Sequence, residues 1–308
     1  MSVGRRLLNP VGLGFASHVL AGALPFLSAG AIARLGLLPG TAALYVAGSV
    51  VVAAVIAFPR IRGHLVTETA AFARPAARAA FVAGLAGFLV AGVAYYVGLA
   101  HFAGLGDTAR VAEYIFLTRL DWLVQAAFAI VWLREPWRPA GLAGAGLALT
   151  GGLLLAWAGA FGATGLLAAT VYILASLAGY SCFKRLAGHR GPAGAVALTT
   201  WRHVVNTIGF IVLAATIGTR APQGDLASGL ALAAAAGVVL VVLFLLRFTA
   251  LAGMPLWVLS AQAPTQALVA ITVILATNGT LPSATLLGIG LVVVGEVMVT
   301  RSGRSAGP

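Results

Sequence analysis

Charge is what this sequence has least of. Only 8% of its 308 residues are Asp, Glu, Lys or Arg, and the acids number 7 against 19 cations. Soluble domains carry about 25% charged residues, so a soluble globular enzyme is excluded. Cysteine is nearly absent too: Cys182 stands alone, which excludes an intrachain disulfide framework and a thiolate metal cluster. Among the 5 histidines no two have metal-ligand spacing. No Ser, His and Asp constellation is visible either, so the chain is read as no enzyme and no cofactor is expected.

Apolar sequence fills the space. Hydrophobic residues make up 61% of the chain and the mean hydropathy is +1.02. At about 20 residues per crossing, the chain holds ten apolar segments, at residues 12–33, 41–58, 79–100, 108–133, 140–158, 163–183, 194–218, 229–252, 255–276 and 282–300. The first segment is too long for a signal peptide and is followed by nine more, so it is read as a retained helix. The runs are continuous and do not alternate, which predicts an all-α helical bundle and excludes a closed β-barrel.

Cations fix the orientation. With the N-terminus cytoplasmic, Arg5, Arg6, Arg60, Arg62, Arg74, Arg78, Arg134, Arg138, Lys184, Arg185, Arg190, Arg247, Arg301 and Arg304 fall inside, and only Arg34 and Arg220 outside. Cytoplasmic loops collect Lys and Arg, so both termini are expected in the cytoplasm, and the excess positive charge needs no nucleic acid to explain it. Residues 59–78, with four of these arginines, read as the longest loop, attracted to anionic lipid.

Five spans lie on each side of Gly162, and an odd number per half means that any repeat must be inverted in the membrane. An ungapped shift of about 142 residues sets Gly146 on Gly288, Leu133 on Leu275, Val131 on Val273 and Leu149 on Leu291. The stretch from Gly98 to Trp157, with its "GLAHFAGLGDTARVAEYIF" and "WLREPWRPAGLAGAGLALTGG", resembles the EamA-like repeat of the drug/metabolite transporter superfamily. The second half echoes it in "LAGMPLWVLSAQAPTQALVAITVILATNGTLPSATLLGIG". Ala100, Glu135 and Gly146 match the family pattern in the first half, and Pro264 and Gly288 in the second. Trp122 stands where the first-half proline is expected, and Thr277 and Asn278 where the second-half acid would fall.

The resemblance implies ten transmembrane helices in two inverted five-helix repeats, residues 1–158 and 159–308, around a central cavity bounded by the third, fourth, eighth and ninth helices. It also implies a secondary transporter, an exporter working by alternating access, in a bacterial plasma membrane.

Ionisable residues inside a membrane cost about 2.5–3.5 kcal/mol each on insertion scales, so they face a partner or a wet cavity. The fourth span carries Arg110, Glu113, Arg119, Asp121 and Gln125, with Glu113, Asp121 and Gln125 on one helical stripe and Arg119 nearly opposite. In the seventh span Thr199, Arg202, His203 and Asn206 share a face. In the ninth, Gln262, Thr265 and Gln266 recur at helical spacing beside Pro264. We expect Arg119, Asp121, Gln125, Arg202, His203, Asn206, Gln262, Thr265 and Gln266 to form the substrate site. Glu113 and Asp121 are the candidate proton-coupling acids, because burial raises a carboxyl pKa and a nearby cation lowers it.

Each reading has a plainer competitor. Asp121 and Arg202 could form a fixed interhelical ion pair, His203 a packing contact, and the glutamines interhelical hydrogen bonds. The glycines of the fifth span (Gly141, Gly144, Gly146, Gly151, Gly152) read as close helix packing. The functional expectation is a carrier of a small metabolite or drug-like compound, with acidic cargo favoured by two mid-membrane arginines against one acid and with protons as a further partner. A lipid or lipid-linked-sugar translocase is the alternative.

Overall fold

A computed structural model describes residues 9–103, 111, 114, 115, 117, 118, 120–132, 139–158, 162–187, 191–217, 224–260, 262–276 and 283–304. Twelve helices run through them: α1 (Pro10–Leu35), α2 (Leu37–Ile56), α3 (Pro59–Phe72), α4 (Pro75–Ala103), α5 (Asp121–Val131), α6 (Pro139–Ala158), α7 (Gly162–Ala187), α8 (Gly191–Ile217), α9 (Leu226–Gly253), α10 (Leu256–Ser260), α11 (Pro264–Ala276) and α12 (Ser283–Arg304). No strand occurs among the described residues. Six of these helices, α1, α2, α4, α7, α8 and α9, are long and apolar enough to cross a membrane. The protein is an all-α integral membrane protein.

Proline sets several of the helix starts. Pro10, Pro59, Pro75, Pro139 and Pro264 each occupy the first helical position, where the missing N–H has no intrahelical partner to lose. Asn9 caps α1, its side-chain oxygen accepting from the Val11 amide at 3.0 Å. A single residue, Gly36, turns α1 into α2 at φ +87°, a conformation that only glycine adopts without strain.

The expected loop at residues 59–78 is largely helix. Its arginines are exposed, but α3 buries Ala71 and Phe72. Phe72 stacks on Phe81 of α4 at 5.1 Å, and the Trp201 indole N–H donates to Thr69 at 2.8 Å. The segment is too charged to span a membrane, yet one apolar face is enough to seat it across one end of the bundle.

Helix pairs close on glycine. α1 packs along α9, α4 along α7, and α6 along α12, while α2 is set between α8 and α9. A Cβ on Gly151 of α6 would come within 2.5 Å of the Gly288 carbonyl oxygen, and one on Gly295 within 2.3 Å of the Gly144 carbonyl oxygen. Gly237 and Gly48 make the same kind of approach between α9 and α2, and Gly87 and Gly179 between α4 and α7. Gly146, by contrast, faces open space. Where two apolar helices meet in lipid, small residues of this kind let the backbones come close enough for dispersion to hold them.

Candidate functional site

Two helices that would otherwise run straight are interrupted. Leu259 and Ser260 end α10, and the chain turns through i to i−3 bonds, Gln262 N–H to Leu259 at 3.2 Å and Ala263 N–H to Ser260 at 3.0 Å, before α11 starts at Pro264. In the first half, the Leu120 N–H bonds Leu117 at 3.2 Å and the Leu123 N–H bonds Leu120 at 3.1 Å, just where α5 begins. Shifting Leu120 by about 142 residues lands on Gln262, so the two breaks occupy repeat-equivalent positions, with Trp122 in the place of Pro264. Proline accounts for the second break by removing a donor.

A polar cluster sits against these breaks. Asp121, 6% exposed, accepts from the Gln125 amide at 3.1 Å and from the Tyr172 hydroxyl at 3.5 Å. The Ser260 hydroxyl donates to Gln125 Oε1 at 3.1 Å, tying α10 to α5. Asp121, Gln125, Ser260 and Gln266 line one small cavity together with His18, Trp122, Tyr180 and Arg247.

Arg247 and His18 belong to the site although the sequence pattern singled out neither for it. Arg247 was counted among the cytoplasmic cations, but it is buried at 7% exposure. Its Nη1 donates to the Tyr180 hydroxyl at 2.8 Å, and its Nη2 approaches His18 Nδ1 at 3.3 Å. The Gln266 amide also meets His18 Nδ1, and His18 Nε2 lies 2.8 Å from the Leu259 carbonyl. A carbonyl only accepts, so Nε2 carries the proton and Nδ1 is the acceptor; the network assigns a neutral His18. Removing Arg247 from the fourteen cations expected on the cytoplasmic side leaves thirteen.

A larger cavity adjoins the first through the shared Tyr180 and Arg247. Every one of the six long apolar helices contributes to its wall: Ala21 and Leu24 from α1, Tyr45 from α2, Phe88, Gly92, Tyr95 and Tyr96 from α4, Tyr172, Ser176 and Tyr180 from α7, Arg202 from α8, and Leu240, Leu243, Phe244 and Arg247 from α9. Arg202 is 5% exposed. Its guanidinium lies 3.3 Å from the Phe244 ring centre and 5.2 Å from that of Phe88. Arg247 is 5.9 Å from the same Phe244 ring. No salt bridge joins Asp121 to Arg202; they face different cavities.

The remaining expected residues spread out. His203 donates from Nε2 to the Tyr45 carbonyl at 2.8 Å and packs onto Gly48, where a Cβ would come within 2.4 Å of its ring. Asn206 donates to the Arg202 carbonyl at 2.8 Å and turns its oxygen towards Gly92. Gln262 reaches α1 instead of a cavity, donating to the Val11 carbonyl at 3.2 Å and covering Gly14. Thr265 is half-buried and lines neither cavity. Glu113, Arg119 and Glu135 lie outside the described residues. No cluster of three or more His, Cys, Asp or Glu side chains suited to a metal ion occurs among the described residues.

The tyrosines were legible only in part. Tyr172, Ser176 and Tyr180 share a helical face in the sequence, a pattern that suits packing as well as lining; Tyr45, Tyr95 and Tyr96 carry no such signal, and only the convergence of α2 and α4 brings them together.

No family model and no curated protein matches the chain. Twelve chains of known structure do. One, a crystal structure described only as that of a protein, superposes with a TM-score of 0.70 over 97% of this chain and 98% of its own length, at 19% identity. A likeness at that identity shows a shared fold and nothing of the chemistry.

Proposed function

We propose that this protein is a secondary transporter of a small metabolite, an exporter that works by alternating access around the central cavity. One observation carries the reading: all six long apolar helices converge on a polar, aromatic-walled cavity with a buried arginine near the middle of α8. Midplane sites beside interrupted helices are how inverted-repeat carriers bind cargo, and the breaks at Leu120 and Gln262 support two inverted five-helix halves, ten spans in all, that rock about the site. Asp121, at the first break, is the acid through which protons would couple. Export follows from the resemblance to the drug/metabolite transporters.

Purified protein in liposomes, screened by membrane-adsorbed current recording against acidic, neutral and cationic metabolites, tests this. Saturable flux that collapses in Arg202→Ala and Asp121→Asn, with folding retained, is the expected result. Undiminished flux in both variants overturns the site.

A lipid translocase is the second reading, favoured by an apolar groove along α4, α7 and α8, walled by Val90, Val97, Leu167 and Val212, all four of them exposed. Movement of labelled lipid between leaflets, without metabolite flux, would put it ahead.

A further inference from the structure

The central cavity is rich in donors and, among its described lining residues, has no acid of its own. Among its described lining residues are two arginines, five tyrosines and a serine, and no carboxylate. Arg202 Nε and Arg247 Nε are both buried without a hydrogen-bond partner, and the Tyr45 hydroxyl lies beside the Arg202 guanidinium. Serine adds nothing to the surplus, because the Ser176 hydroxyl is spent on the Tyr172 carbonyl at 2.7 Å.

The two arginines differ in what holds them. Arg247 commits Nη1 to Tyr180 and Nη2 to His18, and shares the adjoining cavity with Asp121. Arg202 is stacked face-on to Phe244, an arrangement that leaves the guanidinium edge to bind in plane. That edge matches the two oxygens of a carboxylate. A buried positive charge with no acid among the described residues of its cavity wall is costly until an anion arrives, and Arg202 is in that position.

The rest of the wall is π-surface. Tyr95 lies 5.3 Å from both Tyr96 and Tyr172, ring centre to ring centre, and Tyr45 lies 6.1 Å from Tyr96. Aromatic walls reward a flat ring over a saturated one of the same size.

We propose that the cavity takes a planar aromatic carboxylate without an amino group, its carboxylate on the Arg202 edge and the Tyr45 hydroxyl, its ring among Tyr95, Tyr96 and Tyr172. The inference rests on the carrier reading for the role of the cavity, and goes beyond it in naming the cargo class. Zwitterionic amino acids are disfavoured because the described wall offers their ammonium group no acid.

Calorimetric titration of the purified protein with 1-naphthoate, decahydro-1-naphthoate, 1-naphthalenemethanol and 1-naphthylalanine separates ring, charge and amine. The expected order puts 1-naphthoate first, the saturated acid about 3- to 10-fold weaker, and the alcohol and the amino acid weaker still. Arg202→Gln weakens naphthoate about 30-fold or more, Arg202→Lys restores little because an ammonium lacks the fork, and Tyr45→Phe, which leaves the charge in place, weakens it several-fold. Failure of naphthoate to bind, equal binding of all four probes, or a full-affinity Arg202→Gln overturns the proposal. Counterflow of labelled naphthoate in liposomes then distinguishes the two claims: binding without flux sinks the carrier and leaves the site, while flux of other compounds through a protein that ignores naphthoate sinks this inference and leaves the carrier.

Discussion

Arg247 shows how a charge near the end of a span can be misread from sequence. It stands six residues before the end of α9, about 9 Å along the axis at 1.5 Å per residue, a depth from which a long side chain can snorkel to water. Instead it turns inward, because Tyr180 of α7 and His18 of α1 offer it partners at 2.8 and 3.3 Å. Those partners come from 67 and 229 residues away, a distance no local pattern reports. His18, as the shared acceptor, is the more consequential of the two. We expect His18→Leu to cost about 2 kcal/mol, since it strands donors on both Arg247 and Gln266 in a buried site. Tyr180→Phe, which removes one hydroxyl and leaves a cation still facing an aromatic ring, is expected to cost about 1 kcal/mol. Thermal unfolding in detergent measures both, and the reverse order would sink the tautomer assignment.

Asp121 and Gln125 were the readable part of the site. Their i, i+4 spacing puts them on one face, and the 3.1 Å hydrogen bond between them follows. Arg202 could likewise be picked out because a charge in mid-span needs a reason. What it binds could not, since the Phe88 and Phe244 rings beneath it belong to two other helices.

At the scale of the element, six of the ten expected spans were legible from apolar run length alone, because in lipid a helix must satisfy its own backbone. The helical α3 was not, since a charged 14-residue segment reads as a loop until the surface that receives Phe72 is known. The fifth-span glycines were read as one class and turn out to be two. Adding a Cβ to Gly151 drives it into the Gly288 carbonyl at 2.5 Å, whereas Gly146 has nothing within 4 Å. Gly146→Ala should therefore stabilise the protein by up to about 1 kcal/mol, through helix propensity, and Gly151→Ala should destabilise it by about 1–3 kcal/mol, through forced separation of α6 from α12. Paired unfolding curves of the two variants decide this by sign.

The start of α9 gives an element-scale pH effect. Asp225 caps it, accepting from the Ser228 hydroxyl and from the amides of Ser228 and Ala227, both at 3.2 Å. The Ser228 side chain above all, and then the two amides, hold its carboxyl below the ordinary range. A carboxyl whose folded value is depressed contributes stability that is present above its unfolded value and is lost as pH falls through the folded one. Amide exchange in the first turn of α9 should accordingly be slower in the wild type than in Asp225→Ala near neutral pH. The difference should vanish below the depressed value, and a difference that persists there would mean that the cap acts without its charge.

The whole molecule has two chemically different ends. At one, the Gly224 N–H bonds the Arg34 carbonyl at 3.3 Å, so the turn after α1 and the start of α9 meet there. At the other, the Lys184 ammonium donates to the Leu251 and Met254 carbonyls at 2.9 and 2.6 Å, closing the end of α9, and Gly253 packs on Pro10. That second end also carries α3 with Arg60, Arg62, Arg74 and Arg78, so the excess of cations gathers on one face of the bundle even after Arg247 is withdrawn from it. The positive-inside rule predicts that this face is cytoplasmic. Cys182 is the sole cysteine, so a Cys182→Ser background carrying one new cysteine at a time reads the sidedness directly. Thr67→Cys on exposed α3 should react with an impermeant maleimide only in inside-out vesicles, and Asp225→Cys only in right-side-out ones. Reaction of both from the same side would contradict the fold, which sets them at opposite ends; reaction of each from the unexpected side would keep the fold and invert the orientation.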